Sequence, residues 1–302
     1  KAKSVTNKPS LITLRTIIGW PSPKKQNTGK IHGSALGAEE LAGLKTALGF
    51  NPELTFEVTD EVIGHTRSNA AKRADEARSA WQSKFEAWAK ANPEHKALFD
   101  RNEAASWAAA ALATKGDIFV GGAKQVEMMT FLNTYRKVGG EFEIEPDGIR
   151  FFHPGSPLQP VVIETDVHPG FMTDWQQPLV VALTQAEGLS IVHETVYENR
   201  FGFTDALNQM GAQIQIYREC LGGTPCRFGQ RNFNHSAVIS GPTKLHAADI
   251  RVPDLRGGFS HVVAALAAEG RSTVSNVQLI SRGYERFIDK LAALGADFTV
   301  EG

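Results

Sequence analysis

The sequence is poor in cysteine, in net charge and in long apolar runs. Its 302 residues include two cysteines, which excludes a disulfide framework and favours a reducing compartment. The 32 basic and 33 acidic side chains nearly cancel, so neither a nucleic-acid nor an acidic-membrane surface is supported. No apolar run approaches about 18 residues, and no charged segment leads into an apolar stretch at the start. We therefore expect a cytoplasmic chain without a membrane span.

Composition and charge predict two dissimilar parts. Hydrophobic residues make up 42% of the chain and charged residues 22%, which is typical of one or two globular domains. Residues 1–102 carry sixteen basic and eleven acidic side chains, whereas the remainder carries sixteen and twenty-two. The pattern of elements changes at the same place, so we predict domains at 1–102 and 103–302, joined near residues 100–103.

The sequence of the first part predicts one strand and two helices. Residues 11–19 form a near-continuous apolar run, typical of a buried parallel strand. A loop rich in Gly, Pro, Ser and Lys follows, then a short helix over 39–48 and a polar, Ala-rich helix over 60–90. One strand and surface helices cannot close a core, so this part is predicted to be a mostly helical connector.

The second part repeats one pattern three times. Each copy has an apolar helix, a glycine, a β-rich run, a second amphipathic helix, another glycine and an alternating strand. The glycines that mark the copies are Gly116 and Gly139, Gly188 and Gly211, and Gly270 and Gly295. The final strands are predicted around Phe142/Ile144, Ile214/Ile216 and Phe298/Val300. We predict an α/β domain of three βαβα-type units around a shared core.

An acidic residue is predicted to start the first helix of each copy: Glu103, Asp174 and Asp254. The simplest interpretation is an N-cap or a partner of the helix dipole. A pair of aspartates beside an anionic substrate would also suit acid–base chemistry.

Arg200 and Arg282 occupy matching places just before the second helix of copies two and three. Two arginines near helix N-termini suit a phosphate or a carboxylate. Surface pairing with Glu198 or Glu285 is the alternative, and spacing alone leaves both open.

Residues 103–302 resemble the UDP-N-acetylglucosamine 1-carboxyvinyltransferase family, the enolpyruvyl transferases of peptidoglycan synthesis. The resemblance rests on HPGFMTDWQQP (168–178), ETVYENRF (194–201), DLRGG (254–258) and SRGYERFIDKLAALGA (281–296). It implies an inside-out α/β barrel, in a family that has two domains of three repeat units each. By position, this part matches the family's C-terminal domain.

The resemblance also implies roles and ligands. The family transfers the enolpyruvyl group of phosphoenolpyruvate to the sugar 3′-hydroxyl, and needs no cofactor. Asp174 matches its base and sugar-hydroxyl ligand, and Asp254 its second acid. Arg282 matches a phosphoenolpyruvate-binding arginine, Arg200 another active-site arginine, and Val196 a position beside the nucleotide sugar.

Part of the family's machinery is missing from the sequence. The other domain of the family carries a Lys-Asn pair, a further arginine and a mobile loop with a Cys or Asp general acid, and none of these precedes residue 103. We therefore expect an incomplete active site. The alternative is a non-catalytic unit that binds a nucleotide sugar.

Residues 217–236 lengthen the interval between Arg200 and Asp254 relative to the family. Cys220, Cys226 and His235 in this insertion suggest a metal. Their spacing fits no common zinc pattern and they offer only three ligands, so we predict a surface hairpin and no metal.

The first hundred residues resemble transketolase, through TNKPSLITLRTIIGWPSP (6–23), TGKIHGSALGAEE (28–40) and WQSKFEAWAKANPEHKALFDR (81–101). His32 matches a family histidine that contacts thiamine diphosphate. That site also needs a Gly-Asp-Gly metal motif, a pyrimidine-binding domain and its glutamate, none of which is present. We expect a chimera without transketolase activity. Thiamine diphosphate-dependent ketol transfer is the remaining alternative function, and it requires another chain to complete the site.

Overall fold

A computed structural model describes residues 2–56, 58–223, 226–228 and 232–301. The chain divides into two compact units, Lys1–Phe85 and Glu86–Gly302. This division falls inside one helix, Asp60–Ala91, whereas residues 100–103 lie inside the next, Pro93–Ala113. The domain boundary at 102/103, which was inferred from the sequence, therefore stays a prediction. In the part of the chain that the structure describes, no helix is both long and apolar enough to cross a membrane.

The smaller unit contains the first predicted helix and most of the second, but lacks the predicted strand. Helix α1 spans Ala38–Ala47, helix α2 spans Asp60–Ala91, and short 3-10 helices span Ala2–Ser4 and Gly29–Ile31. The strand prediction for residues 11–19 is wrong, because this segment is irregular and its apolar side chains are exposed, Leu11 by 93%. A strand needs a neighbour to pair with, and the described residues of this unit provide none.

Glu40 of α1 holds the loop that precedes its helix. Its carboxylate accepts the N–H groups of Lys24 at 2.7 Å and Lys25 at 3.0 Å, and also the Ser22 hydroxyl. Hydrogen bonding to the charged form, first from Ser22 and then from Lys24, lowers the pKa of Glu40 below its ordinary 4.5. The loop is thus tied to α1 by an ionised carboxylate.

The larger unit contains six helices and nine strands among its described residues. The helices are α3 (Pro93–Ala113), α4 (Met129–Val138), α5 (Thr173–Leu183), α6 (Thr204–Gln209), α7 (Leu255–Ala267) and α8 (Phe287–Ala293). The strands are β1 (Asp117–Gly121), β2 (Glu141–Glu145), β3 (Gly148–Phe152), β4 (Val162–Glu164), β5 (Gly188–His193), β6 (Gln213–Tyr217), β7 (Ser236–Gly241), β8 (Asp249–Arg251) and β9 (Thr273–Ser275).

Three helices form the centre of the larger unit. Helices α3, α5 and α7, the first helices of the three copies, pack against one another. Helix α5 is buried continuously from Trp175 to Leu183, and α3 has fully buried alanines that allow close approach. Trp107 of α3 meets Phe259 of α7 edge-to-face, with ring centroids 4.9 Å apart. Buried helices with sheets around them confirm the predicted inside-out α/β architecture.

The sheets differ among the copies. The first copy has an antiparallel sheet of order β1-β3-β2, the second a mixed sheet of order β4-β5-β7-β6, and the third a parallel pair, β8-β9. The final strand predicted at Phe298/Val300 is absent, since residues 296–301 are irregular. In the first two copies that strand pairs with the next strand along the chain, and no described strand follows Ser275.

A larger side chain placed between the buried helices should destabilise the larger unit. Ala108 of α3 is fully buried, so Ala108→Leu should lower the free energy of unfolding by about 1–3 kcal/mol. Urea denaturation measures the change. Ala74→Leu, on the exposed face of α2, is the control and should change it by less than about 0.5 kcal/mol. Equal effects of the two substitutions would contradict the assignment of the core.

The Glu40 contacts should depend on pH. Because folding lowers the pKa of this carboxyl, its stabilising effect is present above 4.5 and is lost as the pH falls through the lower folded pKa. We expect the hydrogen-exchange protection of the Lys24 and Lys25 amides, measured by NMR, to decline over that acidic range. Glu40→Gln should remove the dependence, whereas Glu39→Gln, at an exposed site, should preserve it. Protection that is independent of pH in the unmodified chain would refute the contact.

Candidate functional site

An ion pair lies where the second copy begins. Asp174 is the second residue of α5, and Arg200 ends the segment that follows β5. Arg200 Nη2 donates to Asp174 Oδ1, with the arginine side chain 4% exposed and the aspartate 28% exposed. The guanidinium also lies 5.3 Å from the centre of the Tyr197 ring. The pair joins two residues predicted from the sequence, and leaves the carboxylate partly accessible.

Arg200 opens onto a cavity of about 430 Å³. Asp254 lines the same cavity, so the structure brings together three of the predicted residues, two directly and Asp174 through its ion pair. The remaining lining residues are Gln177, Tyr197, Asn199, Gly202, Phe203, Pro253 and Leu255. A cavity with a guanidinium and a carboxylate on its wall is suited to an anionic, hydroxyl-bearing ligand.

The three acidic residues predicted at helix starts have different environments. Asp254 accepts the Gly257 N–H at 2.8 Å, which is the expected N-cap bond for α7. Asp174 lies in the first turn of α5. The prediction is wrong for Glu103, which lies inside α3 and pairs with Lys290, because α3 begins at Pro93 rather than at the repeat boundary.

Glu194 organises the segment that carries Val196 and Arg200, and the sequence analysis missed it. Its fully buried carboxylate accepts the N–H groups of Val196 at 2.7 Å and Tyr197 at 2.8 Å. It also accepts bonds from two α5 side chains, those of Thr173 and Gln176. Val196 is half-buried in the turn that results. An acidic residue directly after an apolar strand was the available signal.

Arg282 lies apart from this cavity. It is exposed at the end of the 3-10 helix Val277–Arg282 and is not among the cavity-lining residues. Its guanidinium makes no ion pair with the described side chains. The anion-binding role for Arg282 therefore stays a prediction.

A half-buried phenol lies within electrostatic reach of the ion pair. The Tyr284 hydroxyl shares a 2.7 Å hydrogen bond with the Ser106 hydroxyl, and its ring stacks on Phe259. Burial raises the pKa of Tyr284 above its ordinary value, so the phenol stays protonated, and Asp174 and Arg200 lie within its electrostatic reach. Tyr284 thus links α3 to the site as a neutral hydrogen-bonding group.

His32 lies in the smaller unit and does not form a cofactor site there. It follows the 3-10 helix Gly29–Ile31 and its side chain is exposed. The residues 11–19 that precede it form no sheet, and the described unit has no metal-binding Gly-Asp-Gly motif. The residues present do not fit thiamine diphosphate by themselves.

A second cluster forms around the insertion. One ligand atom each from His193, Cys220, Cys226 and His235 lies within 4.8 Å of the other three, and we call these four residues the Cys₂His₂ cluster. The premise that only three ligands are available is therefore wrong. Pairing between β5 and β7 brings in His193, which is far from the others in sequence. Burial lowers the pKa of His193, which keeps its ring neutral. Residues 224–225 and 229–231 of the insertion, and so part of the predicted hairpin, lie outside the described residues.

The fold and cavity define the class of this chain, an α/β protein of the inside-out enolpyruvyl transferase type. The model of the EPSP synthase (3-phosphoshikimate 1-carboxyvinyltransferase) family matches residues 77–291, and the chain belongs to that family. A model of the transketolase thiamine diphosphate binding domain matches residues 1–106. The two matches confirm the predicted combination of two families and overlap over 77–106.

Relatives in that family agree with the resemblance found in the sequence. A UDP-N-acetylglucosamine 1-carboxyvinyltransferase from Protochlamydia amoebophila is 57% identical over 208 residues, which are 68% of this chain and 44% of the relative. One from Chlamydia pneumoniae is 43% identical over 251 residues, covering 83% and 54%. The chain thus spans about half the length of the curated relatives it matches.

A solved structure supports the fold. The enolpyruvyl transferase NikO from Streptomyces tendae superimposes with a TM-score of 0.56 at 25% identity. The match covers 65% of this chain and 43% of NikO.

The Glu194 carboxylate should be essential to the turn. Glu194→Gln replaces one acceptor oxygen by an amide donor in a buried site lined by donors, and should cost about 1–3 kcal/mol of unfolding free energy. Urea denaturation reports the loss. Glu198→Gln is the matched control in the same segment, because Glu198 faces Arg227 across 3.8 Å near the surface. A Glu194→Gln variant as stable as the control would contradict the structural role.

Proposed function

We propose that the larger unit serves enolpyruvyl transfer from phosphoenolpyruvate to the 3′-hydroxyl of UDP-N-acetylglucosamine. The main support is the Asp174–Arg200 ion pair beside the cavity that Asp254 also lines. These residues occupy the positions that the sequence resemblance associates with the active site. Relatives at 43–57% identity carry this activity in their names.

The proposed reaction is a sequence of addition and elimination. The sugar 3′-oxygen forms a bond to C2 of phosphoenolpyruvate while the C2–C3 double bond opens and C3 takes a proton from the general acid that the resemblance places on the family's other domain, which gives a tetrahedral intermediate. Loss of the C3 proton and cleavage of the bond between C2 and the phosphate oxygen then release inorganic phosphate and restore the double bond. The hydroxyl proton leaves the sugar, and Asp174 is its proposed acceptor.

The arginines have an electrostatic role in this proposal. The guanidinium of Arg200 binds the carboxylate or phosphate of the ligand, and Arg282 supplies a second cation when the ligand is in place. Val196, held by the Glu194 turn, lies beside the nucleotide sugar. Asp254 supports the reaction from the start of α7.

This chain contributes one side of the proposed active site. The Lys-Asn pair, the further arginine and the general-acid loop of the family have no counterpart before residue 103. Since effective catalysis depends on groups held on both sides of the ligand, we expect turnover well below that of a complete enzyme. A non-catalytic nucleotide-sugar binding unit is the second candidate, favoured by the exposed position of Arg282 outside the cavity.

Phosphate release tests the two candidates together. The chain is incubated with phosphoenolpyruvate, with and without UDP-N-acetylglucosamine, and sugar binding is followed by saturation-transfer NMR. Release that depends on the sugar supports enolpyruvyl transfer. Sugar binding without release supports the non-catalytic candidate, and the absence of both from a folded sample rejects both.

Asp174 gives a sharper test of the mechanism. Asp174→Asn keeps the size of the side chain but removes the proton acceptor and the charge paired with Arg200. Sugar-dependent phosphate release should fall by about 100-fold or more. Asp205→Asn, at an exposed position of α6, is the control and should leave the rate unchanged. Unreduced release by the Asp174→Asn variant would remove the assignment of this residue as the base.

A further inference from the structure

The Cys₂His₂ cluster has the composition and compactness of a metal site. Cys220 Sγ lies 3.3 Å from Cys226 Sγ and 3.3 Å from His235 Nε2. Four ligands at zinc bond lengths form a tetrahedron with edges of about 3.3–3.8 Å. The ligand atoms of the cluster, all within 4.8 Å of one another, need only small shifts to reach this geometry.

His193 provides a second, independent observation. Its side chain is completely buried, and both ring nitrogens lack a hydrogen-bond partner among the described residues. A neutral imidazole has one donor and one acceptor, and leaving them unpaired in the interior is costly. A cation bound by one ring nitrogen satisfies the acceptor. The Glu164 carboxylate lies 4.0 Å from Nδ1, which is within ion-pair distance but beyond hydrogen-bond distance.

His235 is already oriented as a ligand. Its Nδ1 lies 2.9 Å from the carbonyl oxygen of Phe233, and since a carbonyl only accepts, Nδ1 carries the proton. In the neutral ring Nε2 is then the lone-pair nitrogen, and it is the atom that faces Cys220. A backbone carbonyl that fixes the tautomer of a histidine is the usual support of a metal-bound imidazole.

The fold explains how ligands distant in sequence meet. His193 ends β5 and pairs with Ser236, the first residue of β7, so His235, directly before β7, lies beside His193. Their ring centroids are 5.4 Å apart. The insertion connects β6 to β7 and carries Cys220 and Cys226, whose sulfur atoms lie within 4.8 Å of a ring nitrogen of each histidine. Strand β5 supplies His193, and the insertion supplies the other three ligands.

We propose that the Cys₂His₂ cluster binds one zinc ion, which fixes the insertion against the segment from Glu194 to Arg200. Two thiolates and two neutral imidazoles balance the divalent charge in a largely buried site, and thiolates disfavour Mg²⁺ and Ca²⁺. Four protein ligands leave no open position, so the ion is structural. This inference does not depend on the proposed transferase function.

The insertion contacts the candidate site directly. Arg227, next to Cys226, donates to the carbonyl oxygen of Val196 and faces Glu198 at 3.8 Å. The Glu194 N–H donates to the carbonyl of His235 at 2.7 Å. An ion that holds Cys226 and His235 therefore also fixes the backbone around Val196.

A disulfide between Cys220 and Cys226 is the competing arrangement. The sulfur atoms are 3.3 Å apart and are not bonded to each other. Such a bond would leave the buried His193 ring without a partner, whereas a metal accounts for all four side chains at once. The two arrangements differ in thiol count, mass and metal content, so they are separable by experiment.

Metal titration of the whole chain is the first test. The reduced chain is stripped with a chelator and titrated with Co²⁺, then with Zn²⁺. We expect tetrahedral d–d bands and a thiolate charge-transfer band that saturate at about one equivalent and disappear when zinc displaces cobalt. A folded, reduced chain that takes up less than about 0.1 equivalent of either metal overturns the proposal. So does a metal-free chain whose intact mass and thiol assay show a disulfide.

Ligand variants locate the site. Loss of a residue that hydrogen-bonds to a metal ligand can weaken metal binding by roughly 100-fold. Because Cys220→Ser and His193→Gln each remove a ligand itself, each should weaken zinc binding by more than that. His246→Gln, at an exposed histidine outside the cluster, should bind zinc as the unmodified chain does. Zinc affinity unchanged in both ligand variants would show that the metal binds elsewhere.

Proteolysis tests the anchoring of the insertion. Trypsin can cleave after Arg218 and Arg227, and zinc should slow cleavage there by about 10-fold or more, because local opening must first release the metal. Cleavage after Arg67, in the exposed part of α2, provides the internal control. Zinc binding without such protection would leave a metal site but refute its role in fixing the insertion.

Discussion

The mutual burial of α3, α5 and α7 is the constraint on which the larger unit depends. Helices that are covered on all sides can place polar groups only near their ends or in fully hydrogen-bonded positions. Asp174 begins α5 and Asp254 precedes α7, so packing these two helices side by side also brings the two carboxylates to the same region. The candidate site is thus a consequence of how the core is built.

The segment from Glu194 to Arg200 is bonded to α5 and contributes part of the wall of the cavity. Its first residue is anchored to α5 through the Glu194 carboxylate, and its last is anchored to α5 through the Asp174–Arg200 pair. Between these anchors, Val196 is held from the other side by Arg227 of the insertion. Three kinds of interaction therefore fix this segment: hydrogen bonds to a buried carboxylate, an ion pair, and a bond to a backbone carbonyl.

The periodic features of the sequence predicted most of this fold. The stripe of apolar residues in α4, with Phe131, Tyr135 and Val138 buried, follows from helical spacing, and the glycine after it adopts the left-handed conformation expected of a C-cap. Asp174 and Arg200 were identified from repeat position and from family resemblance. Their ion pair could not be predicted, because it depends on the angle at which the segment after β5 returns to α5. His193 escaped notice for a related reason: only the register of β5 against β7 brings it to Cys220 and Cys226.

Two apolar runs show why the local sequence alone did not predict which segments form strands. Residues 11–19 were predicted as a buried strand and β5 as part of a β-rich run, yet β5 pairs with β4 and β7 while residues 11–19 stay irregular with Leu11, Ile12 and Leu14 exposed. Burial is a property of what surrounds a segment, and the apolar run specifies only that it would be stable if covered. The same argument applies to His32, whose place in a cofactor site depends on surrounding elements that the described smaller unit does not contain. In the larger unit Asp174, Arg200 and Asp254 are held by neighbours within that unit, and this is why the proposed chemistry is placed there.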